Sequence, residues 1–235
     1  EGVDCLRQKG PLIILARHGS QGDGLLAGAL LLKEGRRLRF VLKKQLLGDP
    51  CLDVVGHRIP NYFVDRDSLD NKEELTNIGV LARDMADDEA LIIFPEGTRF
   101  SEEKLAKAIA ALSETAPTRV KSASELRSVL PPRTAGTLAA LAESNADIVI
   151  CNHVGISDIS SLQQLRAAVP LQTQLKFKLW RTPRSEVNQT QFVQWLDAQW
   201  AIVDDWVTNN EDVTSPLSTP ASLNANEIAT TIEKE

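Results

Sequence analysis

Leu12-Ile13-Ile14-Leu15-Ala16-Arg17-His18-Gly19-Ser20-Gln21-Gly22-Asp23 decides the reading of this chain. Five apolar residues in a row, with no polar alternation, predict a short strand covered on both faces. A polar loop carrying His18 follows. Ser20, with Asp23 three places on and the apolar run Leu25 to Leu32 behind it, signals a helix start. His18 therefore lies where a strand ends and a helix begins, which is where open α/β sheets bind ligands. With His18 in the loop and Asp23 in the first helical turn, the two side chains can meet. A carboxylate on one imidazole nitrogen fixes the tautomer and raises the basicity of the other, which suits a general base. Two plainer readings compete, a capping role for Asp23 and an ordinary loop position for His18.

Working outward, strands and helices alternate. Strand signals are Leu38 to Leu42, Tyr62-Phe63-Val64, Ala90 to Phe94, Asp147 to Cys151 and Leu175 to Trp180. Helical patterns cover Ser20 to Glu34, the stripe Leu75, Ile78, Leu81, Ala82 and Met85, then Glu102 to Leu112, Ala135 to Ser144 and Thr190 to Thr208. Thr115 to Arg133 reads as a polar connection. This alternation predicts an α/β fold: a single domain over 1–208 with a mixed, mostly parallel sheet flanked by helices. The Ser/Thr/Asn-rich stretch 209–235 reads as a disordered polar tail.

The 235 residues are enough for a substantial core. A net charge of −6 gives no nucleic-acid footprint. Lys33, Arg36, Arg37, Arg39, Lys43 and Lys44 form a local basic cluster, read either as a solvated edge or as a surface for anionic lipid headgroups. Three widely spaced cysteines, Cys5, Cys51 and Cys151, suggest a reducing compartment and neither a disulfide framework nor a metal site. No apolar run approaches the roughly 20 residues of a membrane span. The sequence opens at Glu1 rather than methionine, which leaves room for an upstream anchor.

Chemistry collects at Phe94-Pro95-Glu96-Gly97-Thr98-Arg99. A buried strand breaks at Pro95, Gly97 permits a tight turn, Thr98 adds a hydroxyl, Arg99 offers a fork that fits phosphate, and a helix start follows. Asn61 to Arg66 is similar in kind and delivers Arg66 as a second arm of a phosphate clamp. A plain turn with surface ion pairs is the competing account of both stretches.

Taken in order, His18-x4-Asp23, an aromatic strand ending in Arg66, and Phe-Pro-Glu-Gly-Thr-Arg resemble the glycerophospholipid acyltransferase superfamily, lysophosphatidate acyltransferases in particular. The resemblance is strong from His18 to about Phe100. It implies His18 as catalytic base, Asp23 as its orienting carboxylate, and Arg66, Glu96, Gly97, Thr98 and Arg99 as acceptor-binding residues. It further implies transfer of a fatty acyl group from acyl-CoA or acyl carrier protein to a lysophospholipid, most simply 1-acyl-glycerol-3-phosphate. The thioester is a co-substrate, with no metal or other cofactor. The expected setting is peripheral, on the cytoplasmic face of a membrane. The family often has asparagine before the histidine, where this chain has Arg17. Its fourth motif is not distinct here and falls near Asp147 to Cys151.

Two rival readings come from the same chain. Asn152-His153, with Asp158 five residues past the histidine, repeats the first motif but in the wrong order along the sequence. Leu15-Ala16-Arg17-His18-Gly19 also resembles the start of the histidine phosphatase superfamily, which implies His18 as a phosphorylated nucleophile, Arg17 as a phosphate ligand and His153 as a partner. A third possibility is an inactive lipid-phosphate-binding module.

Overall fold

A computed structural model describes residues 1–20, 22–43, 61–64, 71–156 and 174–211. Six strands form one sheet: β1 (Leu12–Ala16), β2 (Arg37–Lys43), β3 (Asn61–Val64), β4 (Glu89–Ile93), β5 (Asp147–Val154) and β6 (Lys176–Thr182). Their order across the sheet is β3-β2-β4-β1-β5-β6. All neighbours are parallel except β5 and β6, which are antiparallel. The mixed, mostly parallel sheet expected from the sequence is thus present.

The helices are α1 (Asp23–Lys33), α2 (Asn71–Ala82), α3 (Glu102–Thr115), α4 (Val120–Ser124), α5 (Ala135–Ala142) and α6 (Phe192–Glu211). Every residue of β1 is buried, because both faces of the sheet are covered. Ile13 and Leu15 pack into a layer with Ile78 of α2, Leu141 of α5 and Phe192, Leu196, Trp200 and Val203 of α6. Leu12, Ile14 and Ala16 face the other way, against Leu31 of α1, with Leu6, Ile92, Val149 and Cys151. One continuous apolar pentapeptide therefore joins two cores, and the period-2 pleat decides which residue enters which.

Three expectations need correction. The helix after β1 begins at Asp23 with Gly22 as its N-cap, three residues later than Ser20. The stretch from Thr115 to Arg133 is not a featureless connection: it holds a 3₁₀ turn at Pro117–Arg119 and α4. Arg119 clamps Asp197 of α6 at 2.6 and 2.8 Å, and Asp204 accepts the amides of Arg127 and Ser128, so α6 straps this segment down. These turns are too short to show a helical period. Finally, α6 runs to Glu211, past the expected boundary at 208. The remainder of the expected tail lies outside the described residues.

Three residues of the basic cluster are engaged within the fold. Arg36 is buried and donates to the carbonyls of Leu6, Gln8, Gly10 and Asp87. Arg37 pairs with Asp88 at 2.7 Å and Arg39 with Glu89 at 2.6 Å. These arginines sit at the start of β2, the opposite edge of the sheet from the end of β1. Lys44 lies outside the described residues. No described helix is long and apolar enough to cross a membrane.

Candidate active site

The parallel register places the ends of β1, β4 and β5 side by side. His18 follows β1, and its side chain keeps 19% of its surface exposed. Its Nδ1 lies 3.1 Å from Asp23 Oδ2. The expected meeting of loop histidine and first-turn aspartate therefore occurs. The ring of His18 rests against Phe94, with centroids 5.0 Å apart.

Asp23 is saturated with donors. Its Oδ2 also accepts the Ser20 amide at 2.8 Å, and its Oδ1 accepts the Ser20 hydroxyl. A fourth partner was not anticipated as such: His153 Nε2, 2.8 Å from Oδ1. Burial alone raises the Asp23 carboxyl. The hydrogen bond from His18, the attraction of His153 and the two bonds from Ser20 outweigh burial and leave it below the usual carboxylate range. An ionised carboxylate only accepts, so both imidazole nitrogens facing it carry protons. Neutral His18 then has Nε2 as its lone-pair nitrogen, the form a general base requires.

Glu96 is buried, and its carboxylate turns inward. Oε1 accepts the His18 amide at 2.8 Å and Oε2 the Leu130 amide at 2.9 Å. Burial pushes this carboxyl up to about 8, against the opposing pull of the two amides and Arg17. Glu96 thus holds the backbone of the loop that carries His18; the sequence reading assigns it, with Gly97, Thr98 and Arg99, to acceptor binding.

Gly97 turns the chain at a φ of 73°, in the left-handed region open to glycine. A Cβ there would lie 3.3 Å from Arg133 Nε, so the Arg133 side chain packs over this turn. Thr98 and Arg99 are half-buried, and Lys104 Nζ donates to Thr98 Oγ1 at 3.2 Å and to the Arg99 carbonyl at 2.9 Å. Arg99, Lys104 and the exposed Arg133 bring three cationic side chains to the turn after β4, with Glu102 and Glu103 in the first turn of the helix that follows. Sequence reasoning missed Lys104 and Arg133; their only signal is position, just past the two ends of a segment that folds back on Pro95, whose carbonyl accepts the Arg133 amide at 2.9 Å. Arg66 lies outside the described residues.

Arg17 is explained by the fold. It is 3% exposed, donates to the His153 carbonyl at 3.0 Å and pairs with Glu211 at 2.8 Å. A Cβ on Gly19 would meet its guanidinium at 3.0 Å, so glycine leaves the room that Arg17 fills beneath the loop. A phosphate ligand would need that guanidinium facing the site, contrary to the phosphatase reading. His153, at 6% side-chain exposure and bonded to Asp23, is likewise placed as neither a phosphatase partner nor the exposed base of the second motif, whose Asp158 lies outside the described residues. Among the described residues no group of three or more His, Cys, Asp or Glu side chains is placed to hold a metal ion.

A family model described as acyltransferase matches residues 1–134, more than half of the sequence. The chain belongs to this acyltransferase family, within the glycerophospholipid acyltransferase superfamily. Acyl transfer in general is therefore its activity. The matched span of this acyltransferase contains His18, Asp23 and the turn Glu96 to Arg99, but stops short of β5 and His153. No solved structure matches the chain.

Proposed function

We propose that the chain transfers a fatty acyl group from an acyl thioester, acyl-CoA or acyl carrier protein, to the hydroxyl of a lysophospholipid, with 1-acyl-glycerol-3-phosphate as acceptor and phosphatidate as product. The supporting observation is a solvent-reaching imidazole held at Nδ1 by a buried, ionised aspartate, beside a cationic turn. His18 Nε2 removes the proton of the acceptor hydroxyl as that oxygen attacks the thioester carbonyl. Asp23 stabilises the imidazolium that forms. The tetrahedral intermediate collapses by breaking the carbon–sulfur bond, and the imidazolium proton goes to the departing thiolate. The ester oxygen then carries the acyl group, and no acyl-enzyme is required.

Arg99, Thr98 and Gly97, with Arg66, are assigned to the acceptor phosphate, which turns binding into orientation of the hydroxyl. Glu96 serves by fixing the His18 amide. Acceptor and product are bilayer lipids, so the proposed working place is a membrane surface, on its cytoplasmic face.

A thiol-release assay over a panel of lysophospholipids and glycerol-3-phosphate tests this reading. The expected result is thiol release from acyl-CoA or acyl carrier protein that requires the lysophospholipid and is lost in His18→Ala. Release indifferent to the acceptor's phosphate, or an acid-labile phosphohistidine at His18, would overturn it.

A further inference from the structure

We propose that His153 is a positioning residue for acyl transfer: its Nε2–H holds Oδ1 of Asp23, so that the carboxylate presents one fixed oxygen, Oδ2, to His18. This rests on the catalytic reading of His18 and Asp23 given above.

The geometry follows from strand register. Ala16 is the Cα partner of Cys151 across the parallel β1–β5 pair. His18 and His153 each lie two residues beyond that pair. Within β5, His153 points to the same side as Cys151, while His18 follows β1 in the loop. Ala16 and Cys151 both face the layer containing Leu31 of α1, and Asp23 opens α1 over the ends of both strands. One carboxylate thus receives two imidazoles from neighbouring strands, at 3.1 Å on Oδ2 and 2.8 Å on Oδ1.

An ordinary core histidine does not account for what surrounds His153. Its only hydrogen-bonded ring nitrogen is the one on Asp23; its buried Nδ1 has no partner among the described residues. Leaving a buried acceptor unpaired is costly, and an apolar side chain against Phe177 would avoid that cost. The imidazole donates where donation matters and stays uncharged: burial holds it at about 4, against the pull of Asp23 and Glu211, with Arg17 reinforcing the shift. A neutral donor steadies Asp23 without neutralising it, as a cation there would. Arg17 in turn anchors the His153 carbonyl, so the strand end cannot drift from α1.

His153→Phe removes the donor and keeps the bulk; His153→Gln restores an N–H at about the place of Nε2. The groups facing this network are His18, Ser20, Arg17, Glu211 and, through the His18 amide, Glu96. With one donor fewer, Asp23 becomes a stronger acceptor for His18, holding the imidazolium more firmly. In His153→Phe, Oδ2 is no longer fixed against His18, and this loss of orientation should outweigh the firmer hold and lower kcat by about tenfold, with KM nearly unchanged. The acid limb of the kcat/KM profile should move to higher pH. His153→Gln should recover most of kcat and the wild-type limb. Imidazole ¹⁵N spectra, which need no substrate, should show His153 protonated at Nε2 and bare at Nδ1 at neutral pH, a pattern lost in Asp23→Asn. An unshifted acid limb in His153→Phe, a glutamine variant as impaired as the phenylalanine one, or a His153 ring protonated at Nδ1 would each overturn the proposal. A wild-type chain that releases no thiol with any lysophospholipid would instead refute the parent reading, and the spectra would still test the His153–Asp23 bond.

Discussion

Two stretches of this chain carry histidine five residues before aspartate, His18 to Asp23 and His153 to Asp158, and the fold gives the two histidines opposite work. Both sit at the ends of neighbouring parallel strands, two residues past a paired couple. His18 has already left β1 and reaches solvent; His153 is still inside β5 and is buried. Both turn to the same carboxylate, Asp23. A short motif therefore specifies candidate chemistry, and the distance between the residue and the end of its strand decides whether that residue reaches solvent or is buried against a neighbour.

The sharpest break in this symmetry is expected from alanine at each position. His18→Ala should lower kcat by at least about a thousandfold, the scale of a lost general base, while its urea midpoint stays close to wild type because the side chain is partly exposed. His153→Ala should lose far less activity but more stability, since it empties a buried site. Equal activity losses at the two positions would end the distinction.

Glu96 supplies the next test, because it fixes the backbone of one histidine and not the other. Glu96→Ala leaves two amides without acceptors, the part-buried one of His18 and the buried one of Leu130. A destabilisation of about 2–4 kcal/mol is expected, together with a fall in kcat as the loop loosens. The pH dependence has a defined sign. Unfolded, this carboxyl loses its proton near the ordinary 4.5; folded, it keeps the proton to about 8. Unfolding therefore releases a proton between those values, and stability contributed by Glu96 is lost as pH rises through them. His153 does the reverse: its neutral form is favoured in the fold, so its contribution is lost as pH falls from 6.5 to about 4. The two slopes oppose each other between 4.5 and 6.5. From 6.5 to 8 only the Glu96 slope remains, and urea midpoints should decline there in wild type and not in Glu96→Gln.

Much of the architecture was legible because buried parallel strands announce themselves. Leu12 to Ala16, Ala90 to Ile93 and Ile148 to Cys151 are apolar without alternation, and each is a central strand. The His18–Asp23 contact was legible too, since it depends only on a local strand-to-helix turn. What escaped depends on which strands lie side by side. Glu96 meets the His18 amide across the β1–β4 pair, and His153 meets Asp23 across the β1–β5 pair; no local period encodes either register. Glu96 reads as a site residue because it stands inside a phosphate-binding pattern; in the fold its two oxygens accept backbone amides. Arg17 departs from the asparagine frequent in the family, and its role was not legible because its partner, Glu211, lies 194 residues away.

That last pair separates support from chemistry by the smallest expected effect. Arg17 is 3% exposed at its side chain and Glu211 32%, so the ion pair is buried on one side and wet on the other. Glu211→Ala should cost roughly 1 kcal/mol, below the price of breaking a fully buried pair, because water reaches the exposed half of the bond and the His153 carbonyl still holds the guanidinium. If Arg17 is a strut beneath Gly19 and the end of β5, kcat should stay within about threefold of wild type, the loss appearing in the urea midpoint. Were Arg17 instead a ligand for substrate, freeing it from Glu211 would change KM for the phosphorylated acceptor far more than stability. A KM that moves while the midpoint stays still would put Arg17 on the His18 side of the comparison, and a midpoint that moves alone keeps it with His153.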